Sequence, residues 1–307
     1  MADASVDEAR ILTQGVGIYE RTDLAEYQLH GEDQRTWLNG QVTNDVRELT
    51  RGQSVYALAV TVRGRIMADV WVLDRGEQLA VLLPKQAAQP VLESFESQII
   101  MEDVEVVVAP DTHVLSLQGP KAAELAKQFA NDPRLQLFPG DELGLGGFLL
   151  LTTAAELPEV HKALLAAAAP LAGGPVSLEG YELCRLRLGR PRFGADFDQS
   201  AYPQEAGLKE RAVSFNKGCY LGQEVICTLE NRGKVARVQH QLRSSQPLTP
   251  GAELRTAEGT TAGKLTSVAQ DPEHSSWLAL GYVKRSAVGG TPLYAEQAEV
   301  EVGPALG

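Results

Sequence analysis

The sequence has few of the residues that build metal centres or disulfide frameworks. Among 307 residues there are three cysteines and five histidines. Cys184, Cys219 and Cys227 form no CxxC pair, and none has the spacing to histidine that is typical of a zinc site. Three thiols in so long a chain also argue against a disulfide scaffold. We therefore expect neither a metal held by side chains nor an iron–sulfur centre.

Long apolar runs and an excess of positive charge are also lacking. No apolar stretch approaches the roughly 20 residues that are needed to span a bilayer. Residues 1–10 are acidic and have neither the apolar segment of a secretory signal nor the arginine-rich character of a transit peptide. The net charge of −12 excludes the broad basic surface of a nucleic-acid-binding protein. We expect a cytoplasmic protein that does not enter a membrane and has no stable, broad affinity for nucleic acid.

What remains is the composition of an ordinary globular protein. Apolar residues make up 44% of the chain and charged residues 22%. The length allows two or three domains and a large buried core. Gly144, Gly146 and Gly147 do not have the spacing of a dinucleotide-binding fingerprint, so a Rossmann domain is not expected.

One short stretch concentrates reactive side chains. Residues 217–224 read Lys-Gly-Cys-Tyr-Leu-Gly-Gln-Glu, and we call them the octapeptide. A lysine two residues before a cysteine can favour the thiolate, and the two glycines permit a positive φ or a close approach to a ligand. Cys219 is therefore a candidate reactive residue, with Lys217 as its cation. The alternative is a turn in which the cysteine packs as a small apolar group.

The octapeptide resembles the signature of the YgfZ-type folate-binding proteins, which are relatives of the glycine-cleavage T-protein, an aminomethyltransferase. Other segments resemble the same family. They are Gly31 with Trp37, Gly40, Gln41 and Thr43 to Val46; Arg63-Gly64-Arg65-Ile66 with Asp69; Pro203-Gln204-Glu205 with Gly207-Leu208; and Arg232-Gly233-Lys234-Val235. The matches run from about residue 20 to about residue 240, with a poorly matching middle.

The resemblance implies an α+β fold, in which GcvT/YgfZ-like folate-binding α/β domains surround a central cavity and a small antiparallel β-barrel follows. We expect the folate-binding region at 1–234. It would consist of one subdomain of about 1–110 plus 175–234 and a second α/β subdomain of about 111–174. The barrel is expected at 235–307, where short β-rich runs alternate with Gly, Pro, Ser and Asp turns.

A hairpin in the first region carries a candidate acid. Two β-rich runs between Ser54 and Leu73 flank Arg63-Gly64-Arg65, and Asp69 is an acid within the second run. Burying a carboxylate in an apolar strand costs free energy unless it is hydrogen-bonded or paired with a cation. The alternative is that the Asp69 side chain faces outward. T-protein relatives have a catalytic aspartate after the corresponding turn. The resemblance therefore implies a catalytic role for Asp69 close to the folate.

A helix is predicted from Ser177, a good N-cap, to about Gly189. Tyr181, Cys184 and Leu188 share one face, which most simply packs on the core. The resemblance implies that the aromatic residue at 181 stacks on the pterin. Arg187 is a departure, because T-proteins have a pterin-binding glutamate near this point.

The candidate site residues fall into two groups. We assign catalytic roles to Cys219, Asp69 and Lys217, and contacts with the folate to Tyr181, Tyr220, Asn44, Gln223, Glu224 and Arg187. For Asn44 the alternative is a turn or a helix cap.

Arginines cluster in and around the segment 189–205, which is too long and too rich in turn residues to be an idle connection. They form either a solvated surface or a basic rim for an anionic ligand tail. The residues are Arg185, Arg187, Arg190, Arg192, Arg232, Lys234 and Arg237.

The resemblance implies that the cofactor is tetrahydrofolate or another reduced folate. It also implies a role in the maturation or repair of iron–sulfur enzymes, including those that modify tRNA, with iron–sulfur enzymes or assembly proteins as partners. Two alternatives stay open. One is a folate-dependent aminomethyltransferase that takes its carbon unit from a lipoyl carrier. The other is a non-catalytic scaffold or RNA-contacting module, which the charge of −12 disfavours.

Overall fold

The computed structural model describes residues 4–231, 233, 235–289 and 292–307. Arg232 and Lys234 of the predicted basic cluster lie outside the described residues. The α-helices are α1 Ala4–Gln14, α2 Gln34–Gln41, α3 Lys85–Ser97, α4 Ala122–Gln128, α5 Leu157–Ala168, α6 Leu178–Arg187, α7 Lys209–Ala212 and α8 Gln223–Asn231. In the described part of the chain, no helix is long and apolar enough to cross a membrane.

The strands form two open sheets and a barrel. They are β1 Gly17–Glu20, β2 Leu24–His30, β3 Ser54–Val60, β4 Ile66–Asp74, β5 Leu79–Pro84, β6 Glu105–Ala109, β7 Thr112–Gln118, β8 Leu135–Pro139, β9 Gly147–Thr153, β10 Gly174–Pro175, β11 Arg237–Ser244, β12 Glu253–Thr256, β13 Thr261–Asp271, β14 Ser276–Lys284, β15 Leu293–Ala295 and β16 Ala298–Ala305. This mixture confirms the α+β class.

The first sheet has the strand order β3-β4-β5-β2-β6, and all its neighbours are antiparallel. Its β3–β4 pair is the hairpin that the sequence predicts, with Gly64 at φ 69° in the turn. Helices α2 and α3 supply Trp37 and Phe95 to the core, where the two rings meet edge to face at 5.4 Å. The sheet therefore has one well-packed face, which fixes the register of β4.

The second sheet has the order β10-β1-β7-β9-β8. Its strand β1 pairs antiparallel with β7, with Gly17 opposite Gln118. Residues 17–20 thus lie in the second sheet, whereas the sequence placed them in the first subdomain. A strand of four residues is too short for its pattern to show which sheet it joins.

A closed antiparallel barrel of six strands follows, in the order β11-β14-β13-β12-β15-β16, and confirms the predicted barrel. Its interior is apolar and includes Leu254, Leu265 and Val283. Gly263 allows close strand approach, since a Cβ there would lie 2.0 Å from the Tyr282 carbonyl oxygen. The end of α6 packs on β13 and β14, so the barrel supports the helix that carries Tyr181.

The predicted cap of α6 is present and gives a stability prediction. Ser177 has extended backbone angles and its Oγ accepts a hydrogen bond from Gly180 N at 3.2 Å. We expect Ser177→Ala to lower the free energy of unfolding by about 1 kcal/mol, because an amide at the helix start loses its acceptor. Urea denaturation measures the change. Ser97→Ala, at the far end of α3, is the control, and an equal loss in both variants would contradict the capping role.

Candidate functional site

A narrow cleft opens where the first sheet, the second sheet, α6 and the segment after α6 meet. Its enclosed volume is about 50 Å³, or about 510 Å³ when its open mouth is included. It is lined by Arg21, Leu24, Tyr56, Asp69, Trp71, Leu82, Pro84, Glu142, Tyr181, Arg185, Arg190, Pro191, Arg192 and Arg211. The cleft thus combines flat aromatic rings, a carboxyl group on a strand and several guanidinium groups.

One carboxyl oxygen of Asp69 accepts no hydrogen bond from the described residues. The side chain projects from β4, and its Oδ2 accepts a hydrogen bond from Tyr56 Oη at 2.9 Å. Its Oδ1 is buried and has no hydrogen-bond partner within the described residues. Burial raises the pKa of Asp69, while the Tyr56 hydrogen bond lowers it. A buried acceptor without a partner is costly, so Oδ1 is a natural contact for a ligand N–H group.

Aromatic rings form the walls beside this carboxyl group. Tyr181 stacks on Tyr19 with ring centroids 4.8 Å apart and planes 19° apart. The ring centroids of Tyr56 and Trp71 are 5.2 Å apart, and the Arg211 guanidinium lies 4.3 Å from the centre of the Tyr56 ring. Burial raises the pKa of Tyr181, and that of Tyr56 far more, so both phenols stay neutral. Such walls suit a flat heteroaromatic ring.

Guanidinium groups outnumber carboxyl groups in the cleft lining. Arg185 is almost completely buried, donating to Asp196 at 2.7 Å and to Ser267 Oγ at 2.7 Å. Arg190 donates to the Leu143 carbonyl at 3.0 Å, which holds its side chain against the cleft. The arginine cluster is therefore not a solvated surface in this part of the chain. In a chain of net charge −12, this lining favours an anionic ligand.

Sequence reasoning missed several lining residues: Arg21, Tyr56, Trp71, Glu142 and Arg211. Tyr56 was within reach, because the predicted hairpin pairs Leu58 with Asp69 and so puts Tyr56 diagonally beside the acid. Arg21 forms a two-point hydrogen bond with Asp23, at 2.8 and 2.9 Å, and also pairs with Glu142. That second contact joins segments far apart in the sequence, and no local pattern indicates it.

The octapeptide lies at the turn of the β3–β4 hairpin and not in the cleft. Leu221 N donates to the Gly40 carbonyl at 2.9 Å, and Gly222, at φ 76°, packs against the Thr61 carbonyl. From Ile66, next to that turn, to Asp69 the strand runs roughly 10 Å. Cys219 is exposed and is not among the described residues that line the cleft.

Lys217 has a different role from the one predicted for it. Its ammonium group is buried and donates to the carbonyls of Asn39, Val42 and Asn44 at 2.6, 2.7 and 2.7 Å. Burial lowers the pKa of Lys217 to about 8, whereas the three carbonyls favour its charged form. An ammonium has three N–H donors, and all are used here. Lys217 therefore fastens the octapeptide to the end of α2 and has no donor left for the Cys219 thiolate.

The other octapeptide residues and Asn44 also lie outside the described cleft lining. Tyr220 is buried with its ring 5.2 Å from Lys217 Nζ, and Gln223 and Glu224 begin α8. Asn44 donates to the Tyr56 carbonyl at 2.9 Å and accepts from the next backbone amide, which matches the turn alternative.

Arg187 points toward the barrel and not toward the cleft, contrary to the predicted folate contact. It pairs with buried Asp271, with Nε 3.0 Å from Oδ2, and with Glu273 at 2.9 Å. His274 joins these two acids in a group that could approach a metal ion. Because Arg187 and Arg10 already neutralise the carboxylates, we assign no metal there. Of the predicted site residues, the structure brings Asp69 and Tyr181 together in the cleft.

Comparison with known proteins agrees with this architecture. Residues 1–139 match the family described as the GCVT N-terminal domain, and residues 234–305 match the CAF17 C-terminal beta-barrel domain. The glycine cleavage system aminomethyltransferase T from Bartonella henselae has the same fold, with a TM-score of 0.83 at 21% identity over 98% of this chain and 88% of that one. The fold and the domain pair define a GcvT-like protein with a C-terminal barrel.

Sequence relatives narrow the class. The aminomethyltransferase of Thermotoga maritima is 25% identical over 94% of this chain and 83% of its own length. The tRNA-modifying protein YgfZ of Colwellia psychrerythraea is 25% identical over 74% of this chain and 71% of its own. A chloroplastic relative from Arabidopsis thaliana is 28% identical over 89% of this chain, which spans 66% of that relative's length. The two domain matches, the shared fold and the YgfZ relative together support a GcvT-like assignment of the YgfZ type.

Proposed function

We propose that this protein binds a reduced folate of the tetrahydrofolate class in the cleft between Asp69 and Tyr181. The observation that carries the proposal is the buried Oδ1 of Asp69, which has no partner within the described residues and lies between aromatic walls. A pterin is flat and presents N–H donors on one edge, which a carboxylate accepts well. The ring would lie against Tyr181, on the side away from Tyr19.

The charge of the cleft supports the same ligand. A folate carries the carboxylates of its glutamate tail at the end opposite the pterin. Arg190, on the segment after α6, forms no ion pair within the described residues and offers its guanidinium group at the cleft. Arg192, on the same segment, pairs with Glu182 through Nε at 2.8 Å and has further N–H donors. When bound, the folate would supply nitrogen atoms that carry a one-carbon unit. The protein's residues hold the ring, accept its N–H donors and neutralise its tail.

Calorimetric titration with several folates tests this proposal. Tetrahydrofolate, 5-methyltetrahydrofolate and 5-formyltetrahydrofolate are compared with p-aminobenzoylglutamate, which has the tail but no pterin. We expect one site per chain for at least one reduced folate and much weaker binding of the fragment. Absence of heat and of competition for every reduced folate would overturn the proposal.

The raised pKa of Asp69 gives a pH prediction. Because burial raises this pKa, the carboxylate takes up its proton at a higher pH than the ordinary value of about 3.9. Affinity for 5-formyltetrahydrofolate should be full above the Asp69 pKa and fall as the pH drops through it, since the protonated group loses an acceptor. Titrations across the acid range measure this. Asp69→Asn should remove the part of the pH dependence that comes from protonation of Asp69. Identical pH profiles for the variant and the wild type would contradict the role of Asp69 as the pterin acceptor.

We extend the proposal to a cytoplasmic role in the upkeep of iron–sulfur enzymes and tRNA modification, with Cys219 as the functional thiol. The support is the resemblance of the octapeptide, the name of the YgfZ relative and the exposure of Cys219, which leaves the thiol accessible to a partner protein. Residues Gln223 and Glu224, which begin α8 beside it, would contribute to this surface rather than to the pterin site.

Cys219→Ala separates the two parts of the proposal. Because Cys219 lies outside the described cleft lining, we expect folate affinity to change less than about twofold, within the range of a neutral surface substitution. The activity of iron–sulfur enzymes in cells that depend on the protein should fall. Loss of folate binding would instead make the cysteine part of the pocket. Cys227→Ala, in α8, is the matched control for removal of a thiol.

A transferase activity is the second candidate, and Asp69 in the cleft favours it. The aminomethyltransferase relatives align with most of this chain's length. A carboxyl group beside the folate could accept or donate a proton during transfer. The test incubates the protein with an aminomethylated lipoyl carrier and tetrahydrofolate. Formation of methylene-tetrahydrofolate with release of ammonia supports it, and folate binding without these products rejects it.

A further inference from the structure

A second cavity lies between the first sheet and the outer edge of the second. Its volume is about 450 Å³, and it shares no described residue with the folate cleft. It is lined by Arg51, Gly52, Asp74, Arg75, Ala123, Ala126, Lys127, Ala130, Leu135, Gln136, Leu137, Phe138 and Phe148. Nothing in the proposed folate chemistry uses this space.

One side of this cavity is apolar. Strand β8 contributes Leu135, Leu137 and Phe138, β9 contributes Phe148, and α4 contributes Ala126. Small-molecule sites are mostly apolar hollows of this size with a few polar groups that fix the ligand. The wall therefore suits an aliphatic or aromatic body.

The polar groups on the other sides are mainly cations. Arg51 and Lys127 form no ion pair and no side-chain hydrogen bond within residues 4–231, 233, 235–289 and 292–307. The cavity's acid, Asp74, is already held by Arg35 at 2.5 Å and by the Gly76 amide at 2.7 Å. In a chain of net charge −12, cations without acidic partners facing one hollow mark a place for an anion.

Arg75 is a largely buried cation of this cavity, and part of its hydrogen-bonding capacity is unused within the described residues. Its side chain is 13% exposed and pairs with buried Glu26 at 2.7 Å. Its Nε is buried and has no partner in the described part of the protein. A guanidinium has five N–H donors, so this pairing leaves donor capacity for a further acceptor after a small side-chain movement.

We propose that this cavity binds a small amphipathic carboxylate, with an acyl or aryl body against Phe138 and Phe148 and its carboxylate at Arg51 and Arg75. Lys127 adds positive charge at the mouth. The proposal does not depend on the folate site. It gives the protein a second ligand, of a class that the folate cleft does not serve.

Titration with decanoate below its micelle-forming concentration tests the proposal. Decanol and decylamine are the matched probes with the same body and a neutral or positive head. We expect decanoate to bind at one site per chain and the other two to bind at least about tenfold more weakly, as expected when ionic contacts are absent or reversed. No decanoate binding, or equal binding of all three, would overturn the proposal.

Charge reversal locates the site. The double variant Arg51→Glu, Lys127→Glu should weaken decanoate binding at least about tenfold and leave folate affinity unchanged. The control Lys121→Glu, Lys162→Glu carries the same charge change outside the cavity and should bind decanoate nearly as wild type does. Should the first variant fail to fold, Ala123→Trp fills the hollow from the exposed side of α4. Unchanged decanoate binding in a folded cavity variant would refute the site.

Discussion

Replacing Asp69 with alanine is expected to weaken reduced-folate binding by about two orders of magnitude. The substitution removes the carboxylate that would accept the N–H donors of the pterin edge. It should leave the fold intact, because among the described residues Tyr56 alone donates a side-chain hydrogen bond to Asp69. The Asp69 Oδ1 atom has no partner to lose, so the cost in stability should be limited to the lost Tyr56 hydrogen bond, about 1–3 kcal/mol. Calorimetry with 5-formyltetrahydrofolate measures the affinity.

Two variants control for this result. Asp69→Asn keeps the shape but replaces one acceptor with a donor, so it should also lose affinity. Asp132→Asn removes a carboxylate from the ion pair with Arg134, away from the described cleft lining, and should bind folate as the wild type does. An Asp69→Ala protein that binds reduced folate with unchanged affinity would show that the acid is not the pterin acceptor.

The second large effect concerns the buried arginine of the cleft wall. We expect Arg185→Ala to lower the free energy of unfolding by about 3–5 kcal/mol, because it leaves buried Asp196 without its cation. Asp196 also accepts hydrogen bonds from Arg192 N at 3.0 Å and from Thr266 Oγ1 at 2.6 Å. The loss should therefore loosen the joint between α6, the segment after it and the barrel. Urea denaturation provides the measurement.

A less buried ion pair offers the contrast. The Arg134 side chain is 37% exposed and pairs with Asp132 at 2.6 Å, and its replacement by alanine should cost no more than about 1 kcal/mol. Equal losses for Arg134→Ala and Arg185→Ala would contradict the view that burial of Asp196 makes the Arg185 pair essential.

Local pattern was sufficient for much of the fold. The turn at Arg63-Gly64-Arg65 and the cap at Ser177 are signals within a few residues, and both have the predicted structure. The short runs after residue 235 correctly predict a barrel. Strands β1 and β8 were not predicted. Their short runs acquire strand character by pairing with β7 and β9, and such tertiary pairing is not visible in a local window.

The site was less accessible to sequence reasoning, for physical reasons. Asp69 and Tyr181 were predicted separately, and only the packing of α6 beside the first sheet puts them in one cleft. Lys217, two residues before Cys219, predicted an activated thiol, yet the lysine side chain donates to three carbonyls at the end of α2. The sequence places Arg185 in a run of charged residues, but in the structure its side chain is buried and pairs with buried Asp196.

The most direct test of the central claim is a crystal structure of the protein with 5-formyltetrahydrofolate. We expect the pterin in the cleft, with a ring N–H group within hydrogen-bond distance of Asp69 Oδ1 and its face against Tyr181. A folate bound elsewhere, with the Asp69 oxygen still unpartnered, would contradict the account.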